Sequence, residues 1–171
     1  MEYRMSRLIV DQLNGRESSS NTITVAAGHT LSAPGHVIQV VQSTLTSTPT
    51  STSTSFADTG LSVTITPKSA SSKILVKADY GTGSGASSGG MVIQFLRGST
   101  VLFYRGVSYS SSAGTYGADA FSHLDSPATT SSITYKVQYK TQAAASTVYF
   151  NPEYAGYSNP TAHITAMEIA Q

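Results

Sequence analysis

Leu61-Ser62-Val63-Thr64-Ile65-Thr66 places an aliphatic side chain at every second position and a hydroxyl between each pair. A period of two puts Leu61, Val63 and Ile65 on one face of a pleated strand and the hydroxyls on the other. Ile74, Val76, Ala78 and Tyr80 repeat the pattern after a turn at Pro67-Lys68-Ser69. Working outward, strands are expected at 36–43, 60–66, 73–80, 90–97, 101–106, 117–124, 133–140 and 161–170, with a short one near 147–150. Leu96-Arg97-Gly98-Ser99-Thr100-Val101 reads as a tight hairpin. Met91-Val92-Ile93-Gln94-Phe95-Leu96 is apolar on both sides, which marks a central strand. No stretch carries the 3.6-residue period of a long helix. Many short strands separated by Gly, Ser and Pro turns describe an all-β chain, an antiparallel β-sandwich or jelly roll.

Composition narrows the function classes. Of 171 residues, 28 are Ser and 22 are Thr, while charged residues make up 11%, against about 25% in typical globular chains. Hydroxyls have replaced ions as the solubilising groups. Net charge is +1 and no Lys or Arg cluster exists, so the phosphate contacts of a nucleic-acid binder are not available from sequence neighbours. Cysteine is absent, which removes disulfides, thiolate nucleophiles and cysteine zinc sites. No apolar run approaches the ~18 residues that span a bilayer, and Leu8-Ile9-Val10 is too short for a signal core. The expectation is a soluble protein, or one soluble until it assembles.

Residues 1–34 differ from the rest. Arg7 to Leu13 and Thr22 to Val25 could form short strands of an extended N-terminal β arm, and Pro34-Gly35 marks its boundary with a domain of 35–171. The arm offers seven sizeable aliphatic side chains: Leu8, Ile9, Val10, Leu13, Ile23, Val25 and Leu31. Each contributes roughly 1.5–3 kcal/mol when fully buried, whereas ordering each residue costs about 1–2 kcal/mol of backbone entropy. Seven such side chains cannot hold thirty-odd residues alone. The arm is therefore either disordered or packed on another surface, most naturally another copy of the chain. The bridge Thr44 to Ser55 reads as an exposed loop or, alternatively, as a β-branched edge strand.

Candidate chemistry is sparse. Gly85-Ala86-Ser87-Ser88-Gly89 matches the hydrolase elbow G-x-S-x-G, but the elbow needs a helix after the turn and here Met91-Val92-Ile93 continues as a strand. The same glycine run lacks the Gly-Lys-Ser/Thr ending of a phosphate loop. His123 and Asp125, with Asp119 nearby, could offer ligands to a cation, or be an ordinary polar strand end. His29 and His36 flank a Ser-Ala-Pro-Gly corner, where in a threefold assembly they could gather on the axis and bind an anion or a metal. His163 reads as a hydrogen-bonded core or interface residue. No histidine sits in a triad-like or two-histidine zinc spacing, so neither a catalytic residue nor a cofactor or metal ligand is assigned. Ten tyrosines are present. Tyr104, Tyr109 and Tyr116 flank the 108–117 loop, and Tyr154 and Tyr157 lie in another. Tyr on a polar loop joins a flat apolar plate to a hydroxyl, which suits sugars and protein surfaces. Tyr109, Tyr116, Tyr154 and Tyr157 are thus the candidate glycan or receptor contacts, while Tyr135 and Tyr139 read as core.

Several segments resemble a small β domain of tailed-phage structural proteins, especially tail-fibre-like proteins of marine and cyanobacterial phages. They are Pro34-Gly35-His36-Val37-Ile38-Gln39-Val40-Val41-Gln42, Leu61-Ser62-Val63-Thr64-Ile65-Thr66-Pro67, Ser71-Ser72-Lys73-Ile74-Leu75-Val76, Phe95-Leu96-Arg97-Gly98-Ser99, Thr134-Tyr135-Lys136-Val137-Gln138 and Ile164-Thr165-Ala166-Met167-Glu168. The resemblance covers 34 to 171 in order, and the arm also looks like the start of such proteins, whose short strands interlock around a threefold axis. What it implies is a homotrimeric, non-enzymatic virion appendage, assembled in the host cytoplasm and attached to other virion proteins through the arm. The proteins it resembles are often longer and carry a shaft, so a chain of this length could instead decorate a capsid as a head fibre. Host attachment through a surface glycan is the alternative role.

Overall fold

The computed structural model describes residues 33–85, 89–110, 114–143, 146–153 and 160–171, without the side chains of 107–110. The expected arm strands lie outside the described residues. Ten strands, and no helix among the described residues, form two antiparallel sheets: β1 (Val37–Leu45), β2 (Thr50–Ser51), β3 (Ala57–Ile65), β4 (Lys73–Ser84), β5 (Gly89–Arg97), β6 (Thr100–Ser110), β7 (Thr115–Asp125), β8 (Ile133–Thr141), β9 (Val148–Phe150) and β10 (Ala162–Ile169). One sheet runs β1-β10-β4-β7, and β9 takes over from β10 beside the last residues of β4 and pairs with β2. The other runs β3-β8-β5-β6. Apart from the β5–β6 hairpin and the short β2 and β9, consecutive strands thus cross between the sheets, in the pairing order of an eight-strand jelly roll.

Alternation fills the interior as the residue pattern requires. Leu61, Val63 and Ile65 of β3 face Ile74, Val76, Ala78 and Tyr80 of β4, with Met91, Ile93, Phe95, Tyr135, Val137, Tyr139 and Ile164 between them, all buried. Phe95 is the hub: its ring lies 4.7–5.8 Å from those of Phe103, Phe121 and Tyr135. β5 sits between β8 and β6, and Leu96 and Gln94 on its outer side are also buried, as its two-sided apolar pattern implies. The β5–β6 hairpin closes over Gly98 and Ser99, with Arg97 paired to Thr100 and Gly98 at φ +57°. A bulge in β3 places Gly60 at φ +88°, and Thr59 Oγ1 holds it by donating to Val137 O while accepting from Leu61 N.

Two strands are longer than alternation suggests. β4 continues to Ser84, pairing Ser84 with Thr115, and β6 continues to Ser110 opposite Gly89. Gly and Ser are poor strand formers alone, but β-propensity gives way to pairing on both sides and to burial. Tyr109 and Tyr116 consequently sit on strands and not in a loop. The Ser/Thr bridge is mostly irregular: its first two residues end β1, and β2 is its other paired piece. Its hydroxyls replace a strand partner: Ser51 Oγ accepts from Ser53 N, and Ser53 Oγ from Ser55 N. Asn151, buried at φ +54°, ties three segments together by donating from Nδ2 to the carbonyls of Leu45, Ser47 and Pro160, each 3.2 Å away.

Candidate functional site

The inner carboxylates Asp119, Asp125 and Glu168 are taken up by cross-links between elements. Asp125, at the end of β7, accepts from Arg97 Nη1 on both carboxylate oxygens, at 2.8 and 2.9 Å, and from Tyr135 Oη at 2.7 Å, joining the two sheets. Asp119, six residues earlier, accepts from Tyr80 Oη at 2.9 Å and from Arg105 Nη1 at 3.2 Å. Burial, reinforced by the neighbouring carboxylates, pushes both phenols well above the ordinary tyrosine range. Tyr80 and Tyr135 therefore stay protonated as donors at any physiological pH.

Glu168 forms a third knot. Its carboxylate accepts from the Lys68 and Ser69 backbone N–H groups at 2.8 and 3.2 Å and from Gln39 Nε2 at 2.6 Å, pinning the β3–β4 turn to β1 and β10. Burial alone raises its pKa, but these hydrogen bonds to the charged form outweigh it and the net shift is downward from 4.5. A carboxyl more acidic in the folded state contributes stability above its unfolded pKa and loses it as pH falls through the folded value. Unfolding titrations should therefore show stability declining below about pH 4.5, and Glu168→Gln should flatten that decline. An equally steep acid limb in the variant would assign it to other groups.

The structure does not gather the proposed cation ligands. His123 lies inside, with its ring 6.1 Å from Phe95 and 5.7 Å from Phe103, while Asp119 and Asp125 are engaged as above. No group of three His, Cys, Asp or Glu among the described residues is placed to hold a metal. His36 Nδ1 hydrogen-bonds the Ala33 carbonyl; His29 lies outside the described residues, as does Ser87. After that elbow-like run the chain enters β5, so the strand-turn-helix setting of a nucleophile is missing. His163 is not a core residue: it points outward from β10 and meets Asp79 Oδ2 at 3.1 Å. Tyr135 and Tyr139 are core, joined by Tyr80. Of the four candidate contact tyrosines, Tyr154 and Tyr157 fall outside the described residues, as does the side chain of Tyr109, and Leu8, Ile9, Val10, Leu13, Ile23, Val25 and Leu31 lie outside them too.

Two surface features remain, both on the outer face of the β1-β10-β4-β7 sheet. At one end a shallow groove is lined by Asp79, Gly81, Ala118, Asp119, Ala120 and Thr161. It continues over Gly81 and Gly117 to Pro152 and Tyr116, whose ring is 46% exposed. Small residues make this floor: a Cβ on Gly83 would stand 3.0 Å from the Tyr116 ring. Toward the other end lies a row that sequence reading missed. Val40 pairs with Met167, Met167 with Leu75, and Leu75 with Leu124, straight across four strands. Val40 is 56% and Leu124 52% exposed, and Val37, in the next row with Ile169, is 47% exposed. The available signal was an apolar residue at an outward position in each of four alternating strands. A separate aromatic pair, Phe56 and Tyr104, sits on the outer side of the second sheet, with Lys140 Nζ 4.9 Å above Phe56.

No family model matches the sequence, and no curated protein matches it. Among solved structures, the chain is similar to that of infectious bursal disease virus, Gx strain, at 13% identity and a TM-score of 0.42, over 88% of this chain and 41% of that one. The Gt strain of the same virus matches at 12% identity and a TM-score of 0.43, over 88% and 42% of the two chains. The chain spans less than half the length of either.

Proposed function

We propose that this chain is a non-enzymatic structural protein of a bacteriophage virion, a homotrimeric fibre- or spike-like tail appendage or a capsid decoration. In this reading residues 1–34 trimerise and attach to other virion proteins, and residues 35–171 project as the jelly roll. The observation that carries it is the use of the inner ionisable groups. Asp119, Asp125 and Glu168 each serve as a tie between strands, and the outer shell is mostly hydroxyl. Such a design resists unfolding and offers little reactive chemistry. The segments that resemble phage structural domains agree with it, since they form β1, β3, β4, the β5–β6 turn, β8 and β10. Jelly rolls also serve lectins, and fold does not dictate function, so location is the decisive test. Gradient-purified particles should contain the chain at a fixed copy number, with gold label at one site. Recovery only in the particle-free lysate would refute the reading.

A second reading, glycan binding for host attachment, is favoured by the groove beside Tyr116. An exposed ring over a glycine and alanine floor leaves room for a sugar ring to stack. Tyr116→Ala should weaken polysaccharide binding about tenfold or more while thermal stability stays within a few degrees. Unchanged binding would remove the groove as the receptor site.

A further inference from the structure

The charged residues of 33–171 avoid one end of the jelly roll. β1, β4, β6 and β8 finish at that end, and β3, β5, β7 and β10 start there. Backbone hydrogen bonds from Thr141 N to Ser53 O, Phe150 N to Pro49 O and Asn151 N to Gly81 O tie its segments together. Of thirteen charged residues in 33–171, the stretches 44–56, 81–90, 106–118 and 141–161 contain one, Glu153. The described chain enters and leaves at the opposite end, where Gly35 N donates to Ala170 O. The groove beside Tyr116 runs from the uncharged end to the first carboxylate inward of it, Asp79.

We propose that this groove takes a neutral polysaccharide, with a sugar ring stacked on Tyr116 and hydroxyls further along hydrogen-bonded to Asp79, and that it rejects acidic sugars. The proposal deepens the glycan reading above and rests on it for the presence of a sugar. Outward along β4 stand Asp79, Gly81 and Gly83, opposite Ala120, Ala118 and Tyr116 of β7. A floor with no side chain larger than a methyl therefore runs about 13 Å from the ring to the carboxylate. Stacking needs a flat ring with open space beside it. The Tyr116 ring is 46% exposed, and the space between it, Gly81, Gly117 and Pro152 amounts to about 270 Å³. The adjoining part toward Asp79 holds about 400 Å³.

Asp79 sets the ligand's charge. Its side chain is 65% exposed, and His163 Nδ1 meets Oδ2 at 3.1 Å. Oδ1 meets no donor among the described residues. A carboxylate only accepts hydrogen bonds, so it pairs with the hydroxyls of a sugar and repels a uronate, sialate or sulfate. The neighbouring cations do not reverse that sign. Arg105 Nη1 is turned to Asp119 and to the Ala120 carbonyl. Lys77 stands one outward position beyond Asp79, away from Tyr116. At the ring end, Glu153 follows Pro152. An acidic sugar would thus lie between carboxylates, at the cost of an anion desolvated without a partner.

Binding of the full-length chain to immobilised polysaccharides tests this, with glucans, mannans and galactans as neutral probes and alginate, polysialic acid and dextran sulfate as acidic ones. A neutral probe should bind and the acidic ones should not. Its affinity should change less than about twofold up to roughly 0.5 M salt, because an uncharged ligand has no ionic attraction to screen. Asp79→Ala should weaken that binding roughly tenfold or more, as expected for a hydrogen bond to a charged group. Asp79→Asn, which keeps one acceptor oxygen, should lose less. Both should melt with the wild type, since the side chain is largely in solvent. Ala118→Trp, which fills the exposed floor while leaving Tyr116 and Asp79 in place, should abolish binding. Acidic probes bound in place of neutral ones, and lost in Ala118→Trp, would overturn the neutral-sugar inference and leave the glycan reading standing. Failure of every probe would overturn both. Neutral binding indifferent to Asp79→Ala and Ala118→Trp would overturn the inference by placing the sugar elsewhere.

Discussion

Replacing Asp125 by Ala is expected to destabilise the domain by about 3–5 kcal/mol, the range for breaking a buried ion pair by removing one partner. The residue is 8% exposed and accepts three hydrogen bonds. Its loss strands the phenol of Tyr135, which is wholly buried, and a guanidinium whose side chain is 27% exposed. Water reaches Arg97 and softens its part of the penalty; it does not reach Tyr135. A chain of this size should lose roughly 10–15 °C of melting temperature. The partner variants separate packing from polarity: Asp125→Ala combined with Tyr135→Phe and Arg97→Met should recover a large part of the loss, since no orphaned donor remains. A single variant melting within 2–3 °C of the wild type would show that the sheets do not depend on this tie.

Phe95→Ala should cost about as much, roughly 3–5 kcal/mol in urea unfolding, for a different reason. The Phe95 ring is fully buried and contacts aromatic rings from β6, β7 and β8, so truncation opens a cavity where both sheets meet. Those neighbours are rigid plates on paired strands and cannot collapse into the space. Phe95→Leu retains most of the volume and should cost about 1–2 kcal/mol. Equal losses for the two variants would mean that ring geometry, not volume, is what the core requires.

Most strand positions and the buried faces of β3, β4 and β8 were legible from local pattern alone. Leu61 to Thr66 and Ile74 to Tyr80 fall inside β3 and β4 with the anticipated side chains inward, because a pleated strand leaves no choice about which alternate residues share a face. Misjudged boundaries came at Gly81 to Ser84 and at residues 107–110, where pairing across the sheet, invisible in a local window, imposes strand. For His163 the choice between core and surface was likewise not legible: only its register beside Asp79 reveals that it faces outward.

The chain's alternation and hydroxyl-rich composition were enough to establish an all-β class and much of the interior residue set, since these depend on residue type and on period two. Which strands become neighbours depends on contacts far apart along the chain. Pairing order therefore made one apolar row from Val40, Leu75, Leu124 and Met167 and three ties from Asp119, Asp125 and Glu168. Each of those residues looks ordinary within its own strand, and its meaning comes from the neighbour that folding places beside it.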